Sequence, residues 1–199
     1  MNDEVFLNIP SDFSRVNSMP NDPPHSTAYL KQTQNSNCFA MIYPIPNSSA
    51  MPYDDVNAVI NGIHNSLSED QGLIEVSKGY TNTNKKFIYS IIKTHLNPSG
   101  MQYALTMNID IINHSICVQS FFDELGDTGL RDSLVFNKLI NAGKITLPDM
   151  EGWLKDPYDP NFKKGILKNL SENEELDKYF PQHPLSEARN FVKYIIKNN

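Results

Sequence analysis

At 199 residues, 39% apolar and carrying ten Phe, nine Tyr and one Trp, the chain is long enough to bury roughly 70% of the surface it exposes when unfolded, so stability requires neither disulfide nor metal. A net charge of −6, with arginine only at Arg15, Arg131 and Arg189, leaves no basic stripe able to neutralise several phosphates, which argues against nucleic-acid binding. No run reaches the ~18 apolar residues of a membrane span, and the acidic start Met1-Asn2-Asp3-Glu4 lacks the apolar core of a signal peptide; these features predict a cytoplasmic protein without a membrane partner.

The chain opens on a short apolar run, Val5-Phe6-Leu7-Asn8-Ile9, then enters a loop at 19–24 containing Pro23-Pro24. Adjacent prolines suit neither a helix interior nor a central strand. Residues 27–33 and 37–43 read as a hairpin turning at Gln34-Asn35-Ser36, with Pro44 and Pro46 expected to stop the second strand. A helix follows. Val56, Val59, Ile60, Ile63 and Leu67 recur at the spacing of one helical face, Asp54 and Asp55 fall in its first turn, and Gly72 follows its end. Gly62 is expected to let this helix lie close to the sheet.

Residues 73–122 read as a four-strand antiparallel meander. Its third strand alternates cleanly: Met101, Tyr103, Leu105, Met107, Ile109 and Ile111 share one face, while Gln102, Thr106, Asn108 and Asp110 share the other. Such period-2 patterning describes a strand with one buried and one wet face. A second helix is expected over 130–142, with Leu130, Leu134, Val135 and Leu139 inward and Gly143 at its end. Beyond 148 the texture becomes proline-rich. This tail carries a Ser171/Glu174 capping-box pattern and a last helix capped by Ser186, with Ala188, Phe191, Val192, Ile195 and Ile196 on its apolar face. Trp153, Leu154, Tyr158 and Phe162 are its expected anchors. The expectation is therefore an α+β fold: an antiparallel β-sheet domain over 1–147, flanked by helices, and a C-terminal arm over 148–199 whose two short helices pack on it.

Chemistry-bearing residues are sparse. Cys38 and Cys117 each sit in an apolar run and read as reduced core thiols. The five histidines form no metal-ligand spacing; no nucleophile elbow, P-loop or dinucleotide fingerprint occurs. No catalytic residue, metal or cofactor is assigned. The densest polar constellation is the 123–132 segment, whose binding candidates are Glu124, Asp127, Arg131 and Asp132. Clustered carboxylates at a strand end can bind a cation or exchange protons. The structural reading of the same residues is that Asp127 or Thr128 caps the following helix and Arg131 ties to a carboxylate. Asp156, just before Pro157, reads as turn chemistry, His64 as surface or flank, and His183 as fixing a turn before the last helix.

The Met51-Pro52-Tyr53-Asp54-Asp55 helix start, the 73–122 meander and the 129–143 helix complete an order of strand, hairpin, helix, four-strand meander and helix. Over about 5–142 that order resembles the Mog1/PsbP-like α+β fold group, which includes the DcrB-like bacterial proteins. The proline-rich tail departs from it, and no functional residue carries over, because no motif matches position by position. The resemblance implies a non-enzymatic protein that binds other proteins, as accessory subunits, regulators of a small GTPase or chaperones of secreted toxins do. The leading expectation is thus a protein-interaction module of accessory, chaperone-like or immunity-like kind, with another protein or a second copy as partner. The alternative is a small-ligand binder or enzyme using the 123–132 loop.

Overall fold

The computed structural model describes residues 7–17, 19–146, 150 and 152–199. Val5 and Phe6 of the first apolar run, and the 147/148 boundary, lie outside the described residues. One seven-stranded antiparallel sheet organises the molecule: β1 (Ser14–Val16), β2 (Thr27–Gln32), β3 (Ser36–Ile45), β4 (Gln71–Tyr80), β5 (Lys86–His95), β6 (Met101–Ile111) and β7 (His114–Glu124), in the order β1-β2-β3-β7-β6-β5-β4. The meander therefore forms as expected, and its last strand pairs with the N-terminal hairpin. β3 runs through Pro44, which sits opposite Ile116. The strand tolerates this proline because β2 begins at Thr27, opposite Ile42, leaving that flank of β3 unpaired beyond it.

Among the described residues three α-helices accompany the sheet: α1 (Val56–Ser66), α2 (Leu130–Asn141) and α3 (Pro184–Asn198). The predicted face of α1 is the observed one. Val59, Ile60 and Leu67 form a cluster with Leu73, Val76 and Ile88, and Val56 and Ile63 pack against it. Asp55 is the N-cap, its carboxylate accepting from the Ala58 N–H at 2.9 Å, so neither aspartate lies within the first turn. Gly62 meets nothing within 4 Å and faces open space rather than the sheet. Gly72 does not terminate the helix. It sits inside β4, where a Cβ would lie 1.8 Å from the Ile166 carbonyl. The tail runs along the β4 edge here, with the Ile166 N–H donating to the Gln71 carbonyl at 2.9 Å. A few residues on, the Tyr158 hydroxyl accepts from the Val76 N–H and donates to its carbonyl. An edge strand that would otherwise expose unpaired backbone is covered by its own chain.

In place of two short helices, the tail forms 3-10 turns at Leu170–Glu172 and Glu174–Tyr179 and then the fifteen-residue α3. The capping box is formed by Asn169 and Glu172, not by Ser171 and Glu174. His183 caps α3 in place of Ser186, which is buried within the helix. Leu185, Ala188, Phe191, Val192 and Ile195 belong to the same apolar cluster as Leu105, Met107, Val118 and Phe122 of the sheet. Ile196 packs at its edge. Phe191 meets Phe122 edge-on at 6.0 Å between centroids, a favoured aromatic geometry. The last helix thus completes the main core.

Cross-strand register sorts the sheet residues into two faces. Tyr103 opposite Phe122, which is opposite Cys38, lies on the α3 face. Leu30, Phe39, Phe121 and Ala104 stand opposite one another in turn on the other face. A bulge between Leu73 and Glu75 turns Glu75 onto the α3 face; bulges commonly re-aim a side chain in this way. Cys38 and Cys117 are buried free thiols, and burial pushes Cys38 up to about 11.

Candidate functional site

The 123–132 segment joins the end of β7 to the start of α2, against the α3 face of the sheet. Arg131, one of the binding candidates, is 1% exposed. Its Nε donates to the Ser171 carbonyl at 2.8 Å and Nη1 to the Ser186 hydroxyl at 3.0 Å. Nη2 donates to the Asn173 carbonyl at 3.3 Å and to Asp177 at 3.0 Å. Asp177 also takes Arg189, whose Nε donates to Glu75 at 2.9 Å. Arg131 is tied to a carboxylate, but that carboxylate is Asp177 in the tail rather than Glu124.

Asp132 accepts from the Ser171 hydroxyl and from the Asn169 amide. Burial pushes its carboxyl above the ordinary range. Glu124 accepts from the Gly129 N–H at 2.8 Å and the Met101 N–H at 3.2 Å. Burial also raises its carboxyl, against the pull of those two N–H groups. Asp127 is exposed and caps nothing. The α2 N-cap is Gly129, in the left-handed region at φ 73°, and no side chain bonds there. Glu124 reaches back to that N-cap residue's N–H, so it takes part of the terminal role expected of Asp127 or Thr128. The structure therefore brings Glu124, Arg131 and Asp132 together at one end of the sheet and leaves Asp127 outside.

Sequence reasoning passed over two further buried members of this cluster. Lys93 and Glu172 pair at 2.8 Å with side chains 3% and 1% exposed. The other oxygen of Glu172 accepts from the Tyr103 hydroxyl at 3.0 Å. A signal was present: Lys93 continues the inward alternation of Phe87, Tyr89 and Ile91, where a lysine requires a buried anion. His183 lies between Arg131 and Glu124. Its Nδ1 accepts from the Leu185 N–H at 3.2 Å, which places the proton on Nε2, 3.9 Å from Glu124. Burial, with Arg131 and Arg189 nearby, lowers this histidine to about 3 and keeps it neutral. His64 is also drawn in rather than left on the surface. It stacks on Phe162 at 3.9 Å and bonds to Asp156 at 3.0 Å. The other oxygen of Asp156 caps the Tyr158 and Asp159 N–H groups in the expected turn.

Beside the cluster lies a 350 Å³ cavity bordered by Glu124, Arg131 and His183 together with Leu130, Leu134 and Phe180. Leu130 and Leu134 were expected inward and are instead 49% and 52% exposed. α2 is turned so that Arg131 and Val135 face in, because the guanidinium finds its acceptors only on the tail. Among the described residues no group of His, Cys, Asp or Glu is placed to hold a metal ion, and no helix is long and apolar enough to cross a membrane.

The opposite sheet face is built differently. α1 lies over β4 and β5, and Met51 donates its N–H to Asn108 at 2.8 Å. Asn108, expected on the wet face, is thereby 2% exposed. Over β2, β3 and β7, Leu30, Phe39, Met41 and Phe121 belong to none of the apolar clusters among the described residues. Leu30 is 40% exposed and the other three are partly so.

No protein-family profile matches the chain, and no curated protein matches it. Among solved structures, the chain is similar to the Ran-binding protein Mog1p of Saccharomyces cerevisiae, at TM-score 0.42 and 10% identity over 66% of this chain and 77% of that one. It is also similar to PA94, a Pseudomonas aeruginosa protein of unknown function, at TM-score 0.39 and 6% identity over 68% of this chain and 96% of that one. The Mog1/PsbP-like resemblance is one of topology, and at these scores it carries no argument about function.

Proposed function

We propose that the protein is a cytoplasmic, non-enzymatic protein-interaction module of accessory, chaperone-like or immunity-like kind, and that it meets its partner on the open face of β2, β3 and β7. The observation that carries this reading is the apolar set Leu30, Phe39, Met41 and Phe121, which lies outside every core cluster among the described residues. An antiparallel sheet with one wet face ordinarily turns polar residues outward. A contiguous apolar surface kept on that side is the usual mark of a protein contact. Asp110 and Asp123 stand on the same face, at opposite ends of the β6–β7 pair. With a net charge of −6, two copies placed face to face would oppose like charges. The reading is therefore a different protein, apolar at its centre and basic at its rim. The internal partners of Arg131 and Asp132 favour it over the small-ligand alternative, which needs those groups free.

The test is affinity purification of the chain from its own cytoplasm, beside a Phe39→Ser/Phe121→Ser variant checked by urea denaturation. A partner held by the wild-type chain and released by the folded variant is the expected result. A partner retained by the variant, or none recovered with the wild type, contradicts the reading.

A further inference from the structure

The outward side of α2 belongs to a second surface, lined by none of the open-face residues. The 350 Å³ cavity beside Glu124 adjoins one of 500 Å³, Leu134, Tyr179 and Phe180 lining both. Together they form one groove, with α2 as one wall and the end of the 174–179 turn as the other. The floor of the larger cavity is apolar, with Val135, Leu139 and Leu176. The rim of the groove is apolar as well: Leu130, Leu134 and Tyr179 are 49%, 52% and 64% exposed. A small molecule filling the cavities would leave that rim wet. A segment of polypeptide laid along the groove would cover both floor and rim.

The spacing narrows the occupant. Leu134 is the waist, Leu130 borders one cavity and Lys138 the other, one helical turn to each side. With a rise of about 1.5 Å per residue, Leu130 and Lys138 each lie about 6 Å from Leu134 along α2. Side chains four residues apart on a helix are separated by about the same distance. Charge orients it. Lys138 and Lys144 border the larger cavity against the single carboxylate of Glu175, while Asp127 and Glu124 border the smaller beside Arg131, whose guanidinium is already taken by Asp177. Lys138, Lys144 and Asp127 take part in no ion pair among the described residues.

We propose that the groove between α2 and the 174–183 segment binds a short amphipathic helix of another protein, seating two apolar side chains one turn apart and turning an acidic end toward Lys138 and Lys144. This site is independent of the open sheet face, so either proposal can fail without the other.

The probe is a synthetic helical peptide bearing leucines at positions i and i+4, glutamates at one end and lysines at the other. Its controls are the same peptide with both leucines replaced by serine, and one with the charged ends exchanged. Binding is read by fluorescence anisotropy and by shifts of the Leu130 and Leu134 methyl signals. The expected result is saturable binding that falls about ten-fold with the serine peptide and about ten-fold in Leu134→Ser. In Lys138→Glu/Lys144→Glu the preference between the two charge arrangements should reverse. These positions are exposed, and the Trp153 fluorescence of each variant confirms an intact fold. Equal binding by the leucine and serine peptides overturns the proposal. So does dodecanoate moving the same methyl signals where the peptide does not. Self-association in sedimentation velocity that Leu134→Ser abolishes would make the occupant a second copy and overturn it as well.

Discussion

The two faces of the sheet are made from the same strands and obey different rules. On the α3 face, polar groups are as buried as the apolar ones, and the residues supplying their partners lie far along the chain: Lys93 with Glu172, Arg131 with Asp177, Arg189 with Glu75. On the other face, Leu30, Phe39, Met41 and Phe121 over β2, β3 and β7 belong to none of the apolar clusters among the described residues. The first face carries the stability of the fold, where removal of one partner leaves a charge stranded. The second, as the proposed contact surface, is expected to contribute less to stability.

The largest effects should come from the buried ion pairs. Lys93→Met leaves Glu172 uncompensated and should cost about 3–5 kcal/mol by urea denaturation; Arg131→Met leaves Asp177 to Arg189 alone and strips the buried Ser171 and Asn173 carbonyls of their donor, at a cost of about 1–3 kcal/mol. Losses below about 1 kcal/mol would mean that the cluster is wetter than its burial implies.

A pH titration sharpens the same contrast. Unfolded, His183 returns to an ordinary value of about 6.5; folded, burial holds it near 3. Between these values the unfolded chain binds a proton that the native chain does not. The stability tied to this group is therefore intact above about pH 6.5 and is lost progressively as pH falls toward 3. Glu124 and Asp132, raised by burial, act in the opposite sense and offset part of the loss. His183→Asn keeps an acceptor at the α3 cap and should flatten the decline between pH 7 and 4.5, measured as urea midpoints. An unchanged slope would remove His183 from the account.

Gly72→Ala probes the seam between β4 and the tail. The added Cβ collides with the Ile166 carbonyl, and overpacking of this kind costs about 1–3 kcal/mol. The expected sign is faster hydrogen exchange at the Ile166 amide and earlier proteolysis within 155–168. The smallest effect belongs to the α2 rim: Leu134→Ser should alter stability by about 0.5 kcal/mol or less, in line with its 52% exposure. A larger loss would show that Leu134 serves the core after all.

Much of this architecture can be read from local pattern. The α1 stripe and the alternation along β6 are periodicities contained within a dozen residues, and the apolar face of each comes out as predicted, although Asn108 on the polar side of β6 is buried beneath Met51. α2 does not, because its sequence supports two apolar sides. Leu130 with Leu134 competes against Val135 with Leu139, and the choice falls to Arg131, whose acceptors lie 40 to 55 residues further on. The tail caps slipped for a related reason. Asn169 and His183 compete with nearby serines for the same role, and only the positions of Asp132, Glu172 and Arg131 decide between them. Of the candidate site, Glu124, Arg131 and Asp132 do converge, while Lys93 was legible only as an inward-facing lysine without a visible partner.

Phe121 and Phe122 are adjacent in β7 and point to opposite faces. Phe122 is fully buried against Phe191, and Phe121 lies in the open apolar set. Chemical denaturation of Phe121→Ala beside Phe122→Ala tests the division between the faces most directly. The account predicts a loss of about 3–5 kcal/mol at Phe122 and about 1 kcal/mol or less at Phe121. Equal losses at the two positions would contradict it.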